Sequence, residues 1–218
     1  MIRPIAPDGL HEFVDGSCVS QYARRGTRAI DLGTGRGAMA ERLQVKGCDV
    51  VAVDLSPNGF EADLPHVILD LNRGDFASEL GVGVFDLATA IEVIEHVESP
   101  IGFLRNVGRL LSPTGVAILT TPNVDSLPAR IRHLLSGKIR MMDERAEPSH
   151  ISPIFIDLFQ RQFLPLVGLR LQKHLLFPPD GFQASRKSVA WTMRKIAWLF
   201  PRDSILGDHH VFVLERPR

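Results

Sequence analysis

Cysteine is nearly missing: only Cys18 and Cys48 occur in 218 residues, and their separation forms neither a metal-ligand spacing nor a redox pair. That usage leads us to expect a reducing, cytoplasmic setting. No apolar run approaches the roughly 20 residues that a spanning helix needs. The opening MIRPIAPDGLHEF has no continuous apolar stretch of the kind a secretory leader carries. There is a single tyrosine, Tyr22, and there are two tryptophans. Neither an internal repeat nor a low-complexity tract is visible, and 44% hydrophobic with 23% charged residues is ordinary for one globular α/β domain with a full core.

An excess of charge of either sign is also missing, with 25 basic and 25 acidic residues. The balance conceals a polarity. Residues 1 to 126 carry 10 Lys and Arg against 17 Asp and Glu, whereas residues 127 to 202 carry 13 against 5. The later segment therefore either meets an anionic partner or surface, or is attracted to the acidic half of its own chain.

What is present is a regular alternation. Short apolar runs at 27–32, 49–54, 66–70, 84–90 and 115–121 read as strands. Residues 38–46, closed by Gly47, and 100–111, with Ser99 as N-cap and Pro100 in the first turn, read as helices. Strands alternating with helices imply a parallel, doubly wound sheet that binds ligands at the carboxyl ends of its strands. Further on, 127–135 reads as a short helix, Ser152 and Pro153 open a helix through Phe163, and the stretch from Leu169 to Phe177 alternates as a strand. VFVLE at 211–215 is a last strand.

The first strand runs into AIDLGTGRGAMAERL, residues 29 to 43. Alternating glycines at Gly33, Gly35 and Gly37 let a backbone approach a ligand closely. Gly33, Gly35 and Ala38 satisfy a dinucleotide fingerprint, and Asp54 stands near the position of a ribose-binding acid. That keeps an NAD(P)-binding oxidoreductase open. Against it, Asp31 would repel a pyrophosphate, and Tyr22 precedes the loop, leaving no downstream tyrosine as proton donor. A carboxylate at Asp31 makes better sense for a ligand that is cationic near the loop.

The string D-L-G-T-G-R-G resembles the first motif of class I S-adenosylmethionine-dependent methyltransferases. The resemblance continues through VAVDLS, VILDLN, AIEVIEHV and SPTGVAILTTPN, covers roughly residues 27 to 123, and looks closest to the branch of the ubiquinone-biosynthesis O-methyltransferases. It implies a Rossmann-like, doubly wound, mostly parallel seven-stranded sheet with an antiparallel C-terminal hairpin and a helical cap. It implies S-adenosylmethionine as cofactor, held by Asp31, Gly33, Gly35, Gly37, Asp54, Leu55, Asp70, Leu71, Ile91 and Glu92. Asp54 would take the ribose hydroxyls, Leu55 the adenine face, Asp70 and Leu71 the adenine edge, and Glu92 the amino group. The domain then divides into an N-terminal helical segment (1–26), a cofactor-binding core (27–123), a cap and acceptor-site segment (124–208) and a final strand (209–218).

An oxygen acceptor needs a base as well as in-line positioning. His150 and His96 are the candidates, since imidazole titrates near neutrality. Glu92, Glu95 and His96, with His150, also match a pattern that holds a divalent metal in some relatives. If residues 92–96 are helical, the first three share one face. The same pattern is common in relatives without metal, so no metal is counted among the cofactors, and the question stays open.

SRKSVAWTMRKIAWLF, 185–200, reads as a helix with Val189, Met193, Ile196 and Phe200 on one side and Trp191, Trp198, Lys187, Arg194 and Lys195 on the other. Together with 127–140 it suggests contact with the inner face of a membrane or with a lipid-like acceptor. Packing of those tryptophans on a loop or a second subunit is the alternative, which leaves a homodimer open. Nucleic acid is not expected as a partner, because no aromatic platform or RNA module is visible. A metal-assisted RNA 2′-O-methyltransferase therefore ranks below a small-molecule one.

Overall fold

A computed structural model describes residues 1–143, 148–183, 191, 192, 195 and 205–217. Seven strands form one sheet: β1 (Arg28–Leu32), β2 (Asp49–Asp54), β3 (His66–Ile68), β4 (Phe85–Ala90), β5 (Leu111–Pro122), β6 (Arg170–Phe177) and β7 (His209–Glu215). Their spatial order is β3-β2-β1-β4-β5-β7-β6. The first five are parallel to one another, and β7 runs antiparallel between β5 and β6. The sheet is thus mostly parallel with an antiparallel C-terminal pair, as the sequence implies.

Strand alternation places the two cores. In β1, Ile30 and Leu32 face a cluster that includes Phe76, Phe103, Leu104, Phe159 and Phe212. These come from α4 (Phe76–Leu80), α5 (Pro100–Leu110), a π-helical stretch (Phe159–Phe163) and β7. Ala29 faces the opposite cluster with Leu10, Val14, Met39 and Leu43, from α1 (Leu10–Val14) and α3 (Ala38–Val45). Successive strand residues point to opposite faces, so Asp31 follows Ala29 to the α1/α3 side.

The α5 boundaries follow from chemistry: Ser99 accepts from the Gly102 N–H at 3.1 Å, and Pro100 fills the first turn. Two segments differ from the sequence expectation. No helix starts at Ser152, because its N–H donates to the Glu95 carbonyl at 2.9 Å and its hydroxyl to the Val97 carbonyl at 2.6 Å. Helix α7 (Ile156–Leu158) starts four residues later, where an Asp125 carboxylate oxygen accepts from the Ile156 N–H at 2.8 Å. The second difference is at Glu92–His96, which forms turns and not a helix. Glu92 has φ 56, a left-handed conformation that no helix continues.

Within the expected cap, 124–208, the described part contains α6 (Leu127–Ser136), α7, α8 (Leu164–Val167) and also the edge strand β6. The cations here pair locally: Arg132 with Asp143, Arg140 with Asp208 at 2.9 Å and Arg161 with Asp157 at 2.6 Å. Most of the helix expected at 185–200 lies outside the described residues, and of it Lys195 Nζ stands 3.8 Å over the Trp191 ring. No described helix is long and apolar enough to cross a membrane.

Candidate functional site

Parallel strands β1 and β4 are neighbours in space, but β1 connects onward to β2 on its other side. The chain therefore leaves a crevice at their carboxyl ends. A cavity of about 470 Å³ lies there. Its floor is the glycine loop. Gly33, Gly35 and Gly37 all have positive φ, and two of them are crowded. A Cβ on Gly33 would come within 2.6 Å of a Val93 methyl, and one on Gly37 within 2.8 Å of Ala62. The loop is anchored by Asp54 at the end of β2, which accepts from the Gly35 N–H at 2.8 Å.

Asp31 is fully enclosed between two hydroxyls, accepting from Thr34 and from Thr89 at 2.6 Å each. Thr89 reaches it because β1 and β4 pair Asp31 with Thr89 in register. Burial lifts the Asp31 carboxyl from 3.8 to about 6, against the pull of those hydrogen bonds.

Glu92 closes the cavity on the β4 side. The Thr120 hydroxyl donates to its carboxylate at 2.8 Å, and His209, the first residue of β7, pairs with its other oxygen at 2.9 Å. Burial is the largest influence and opposes ionisation of Glu92, but the charge and hydrogen bond of His209, the Thr120 hydroxyl and the charge of His150 together hold the carboxyl below its ordinary range. Burial likewise works against a charged His209, and Glu92 outweighs it in turn, raising that imidazole. The two form a buried ion pair.

His96 and His150 meet across the mouth, with ring centroids 4.7 Å apart and planes at 73°. The loop carrying His150 is tied to the Glu95 turn, since the N–H groups of Ile151 and Ser152 both donate to the Glu95 carbonyl at 2.9 Å. His150 Nδ1 lies 2.7 Å from the Met141 carbonyl, and His96 Nδ1 lies 3.2 Å from the Ser149 carbonyl. A carbonyl only accepts, so Nδ1 carries a proton in each ring, and in the neutral form the lone pair is on Nε2.

Glu95 is buried, and neither carboxyl oxygen has a hydrogen-bond partner. Burial, and then the charge of Glu92, raise its carboxyl well above the ordinary value. One ligand atom each of Glu95, His96 and His150 can be chosen so that all three lie within 4.8 Å of one another.

Of the residues singled out from sequence, Asp31, Gly33, Gly35, Ile91, Glu92, His96 and His150 line this cavity. Gly37, the N-cap of α3, lies beyond its lining, as do Asp54, Leu55, Asp70 and Leu71 along the carboxyl ends of β2 and β3. Leu55 is 67% exposed there, and Asp70 accepts from the Asn72 N–H at 2.9 Å. Sequence reasoning missed His11, Thr34, Met141 and His209 in the lining. Of these, Thr34 alone had a local signal, a hydroxyl inside the glycine loop.

A family model described as a methyltransferase domain matches residues 7–170. The chain is 35% identical over 105 residues to a ubiquinone biosynthesis O-methyltransferase of Azorhizobium caulinodans, an alignment covering 45% of this chain and 42% of that protein. It is also 35% identical over 117 residues to a mitochondrial one of Schizosaccharomyces pombe, covering 50% and 41%. The matched stretch thus spans less than half the length of these relatives. A solved SAM-dependent methyltransferase from Archaeoglobus fulgidus is 16% identical, with 94% of each chain covered and a TM-score of 0.68, and so shares the fold. With its family model spanning the N-terminal helices, the glycine loop and both site histidines, the chain belongs to the methyltransferase-domain family.

Proposed function

We propose that this domain transfers a methyl group from S-adenosylmethionine to an oxygen of a small-molecule or lipid-like acceptor. One observation carries the reading: a left-handed glycine loop, with buried Asp31 beneath it, opens into the same cavity as two histidines whose Nδ1 atoms face backbone carbonyls. When bound, S-adenosylmethionine supplies a methyl group on a sulfonium and an amino-acid end with an ammonium. Asp31 and Glu92 favour that cationic end, and Asp54, while holding Gly35, faces the ribose. His150 acts as the base, its Nε2 taking the proton of the acceptor hydroxyl as the oxygen–methyl bond forms and the methyl–sulfur bond breaks. The positive charge passes from the sulfonium to the His150 imidazole in that step, so enclosure from water and alignment carry much of the catalysis.

The exposed apolar end of α6, Leu134 and Leu135, beside Arg130 and Lys138, supports an acceptor presented at a lipid surface. Incubation with methyl-labelled S-adenosylmethionine and a host extract tests both statements. Label entering the organic phase is expected; label confined to the aqueous phase would replace the lipid-like acceptor by a water-soluble one, and no transferred label would overturn the activity.

A second reading adds a divalent cation. Glu95 is a buried carboxyl with no hydrogen-bond partner beside two imidazoles, a donor set that fits a cation accepting mixed oxygen and nitrogen ligands. Glu95, His96 and His150 would hold it, and it would polarise the acceptor oxygen.

The Asp31 carboxyl gives a pH prediction with two signs. Its neutral form suits the folded chain, so its contribution to stability is full below 3.8 and is lost as pH climbs to about 6. Ligand affinity moves oppositely, because only the carboxylate attracts an ammonium. Calorimetry with S-adenosylhomocysteine is expected to show affinity rising as pH passes about 6 and then levelling. Asp31→Asn is expected to remove that step. An unchanged step in the variant would assign it to another group.

A further inference from the structure

Among the described residues, two besides the glycines have positive φ: Glu92 at 56 and Met141 at 67. Both line the cavity. Backbone strain of this kind persists only where surrounding contacts over-determine it, and it gathers at functional sites. Glu92 is held by Thr120 and His209. What holds Met141 is a different set of residues, outside the cavity.

Met141 is the third residue of a turn, Ile139–Met142, closed by the Met142 N–H donating to the Ile139 carbonyl at 3.2 Å. Arg140, the second residue, does not have positive φ, so the turn follows the type II pattern, which favours glycine or asparagine where Met141 stands. The turn is gripped on both flanks. Arg140 pairs with Asp208 at 2.9 Å, with side chains 11% and 1% exposed, and Asp143 pairs with Arg132 of α6. Asp208 is itself fixed: its N–H donates to the Phe177 carbonyl, its carbonyl accepts from the Asn123 N–H, and its carboxylate accepts from the Gln183 N–H. Two consecutive residues therefore hold the two strained turns of the cavity, His209 through Glu92 and Asp208 through Arg140.

The strained turn places the Met141 carbonyl 2.7 Å from His150 Nδ1. A neutral imidazole has two tautomers, and a fixed acceptor at Nδ1 selects the one whose lone pair is on Nε2. We propose that Asp208 and Arg140 are positioning residues for His150: their ion pair holds the 139–142 turn so that the Met141 carbonyl fixes the ring, leaving Nε2 to take the proton of the acceptor. This rests on the methyl-transfer reading above, with His150 as base. Neither Asp208 nor Arg140 lines the cavity, so both act only through the turn.

The test begins without any acceptor. Nitrogen-15 spectra of EDTA-treated protein at about pH 8.5, where an ordinary imidazole is neutral, are expected to show His150 as the Nδ1–H tautomer. Arg140→Met is expected to give a mixture of tautomers, and Arg140→Lys, which keeps the charge, to recover most of the first form. With methyl-labelled S-adenosylmethionine and host extract, Arg140→Met is expected to lower the rate of label transfer about 10- to 100-fold, as misplacement of a reacting group does. Affinity for S-adenosylhomocysteine should stay within about twofold. In a His150→Ala background the same substitution should cost less than about twofold more, because residues acting as a unit are not additive. Should Arg140→Met fail to fold, Asp208→Asn, which still accepts from Gln183, carries the same expectations. An unchanged tautomer, or a full additional loss in the His150→Ala background, would overturn the proposal. A fall in S-adenosylhomocysteine affinity as large as the fall in rate would overturn it as well, assigning Arg140 to packing. Wild-type protein that transfers no label would overturn the methyl-transfer reading, while the tautomer comparison would still decide whether Arg140 orients His150.

Discussion

His150→Ala is expected to lower kcat about 10²- to 10⁴-fold, the range of a positioned general base, while affinity for S-adenosylhomocysteine stays within about twofold. The separation follows from geometry. His150 reaches the cavity mouth from a loop pinned to Glu95, whereas the cofactor floor is built by β1, β2 and the glycine loop. Loss of the imidazole also leaves the Met141 carbonyl without its donor, a local cost that a thermal melt would read separately. A kcat that falls less than about threefold would remove His150 from the chemistry. Chelation then separates the two readings of the same cluster. Activity that survives EDTA makes His150 a base alone; activity lost and restored by one divalent ion makes Glu95, His96 and His150 a metal centre.

Asp54→Ala is expected to weaken S-adenosylhomocysteine by about 10²-fold or more, the order expected when two charge-assisted hydrogen bonds are lost together. Asp54 has two tasks. On the proposed function it faces the ribose, and in the structure it takes the Gly35 N–H, which holds the glycine loop in its left-handed conformation. Asp54→Asn separates them, since the amide oxygen still accepts from Gly35 while the charge is gone. Affinity for the asparagine variant should fall between the other two. Equal affinity of wild type and Asp54→Ala would contradict the ribose role.

Local chemistry in the chain was enough to read the strands, the capped start of α5 and the glycine loop, because apolar periodicity, a Ser-Pro start and glycine spacing are properties of neighbours in sequence. What could not be read depends on register. Thr89 reaches Asp31 only through pairing of β1 with β4, and Thr120 and His209 reach Glu92 only after β5 and β7 are in place. The shared helical face considered for Glu92, Glu95 and His96 does not form: the Glu92 backbone adopts a left-handed turn at the strand exit, and its side chain meets Thr120 and His209 from distant strands. The start of α7 is displaced for a similar reason: Asp125, 31 residues earlier, supplies the cap that local sequence assigned to Ser152. His11 carried no motif at all, and only the packing of α1 makes it part of the site.

The placement of β7 between β5 and β6 has a consequence for synthesis on the ribosome. β6 leaves the exit tunnel before β7, and among the described residues its only sheet neighbour is β7. Until residues 209–215 emerge, a nascent chain holds an unpaired strand and an open flank on β5, both able to associate with other chains. His209 arrives with that same last strand, so the Glu92 pair and the closing of the sheet are completed together. A domain of this design passes from aggregation-prone intermediate to finished site in one late step.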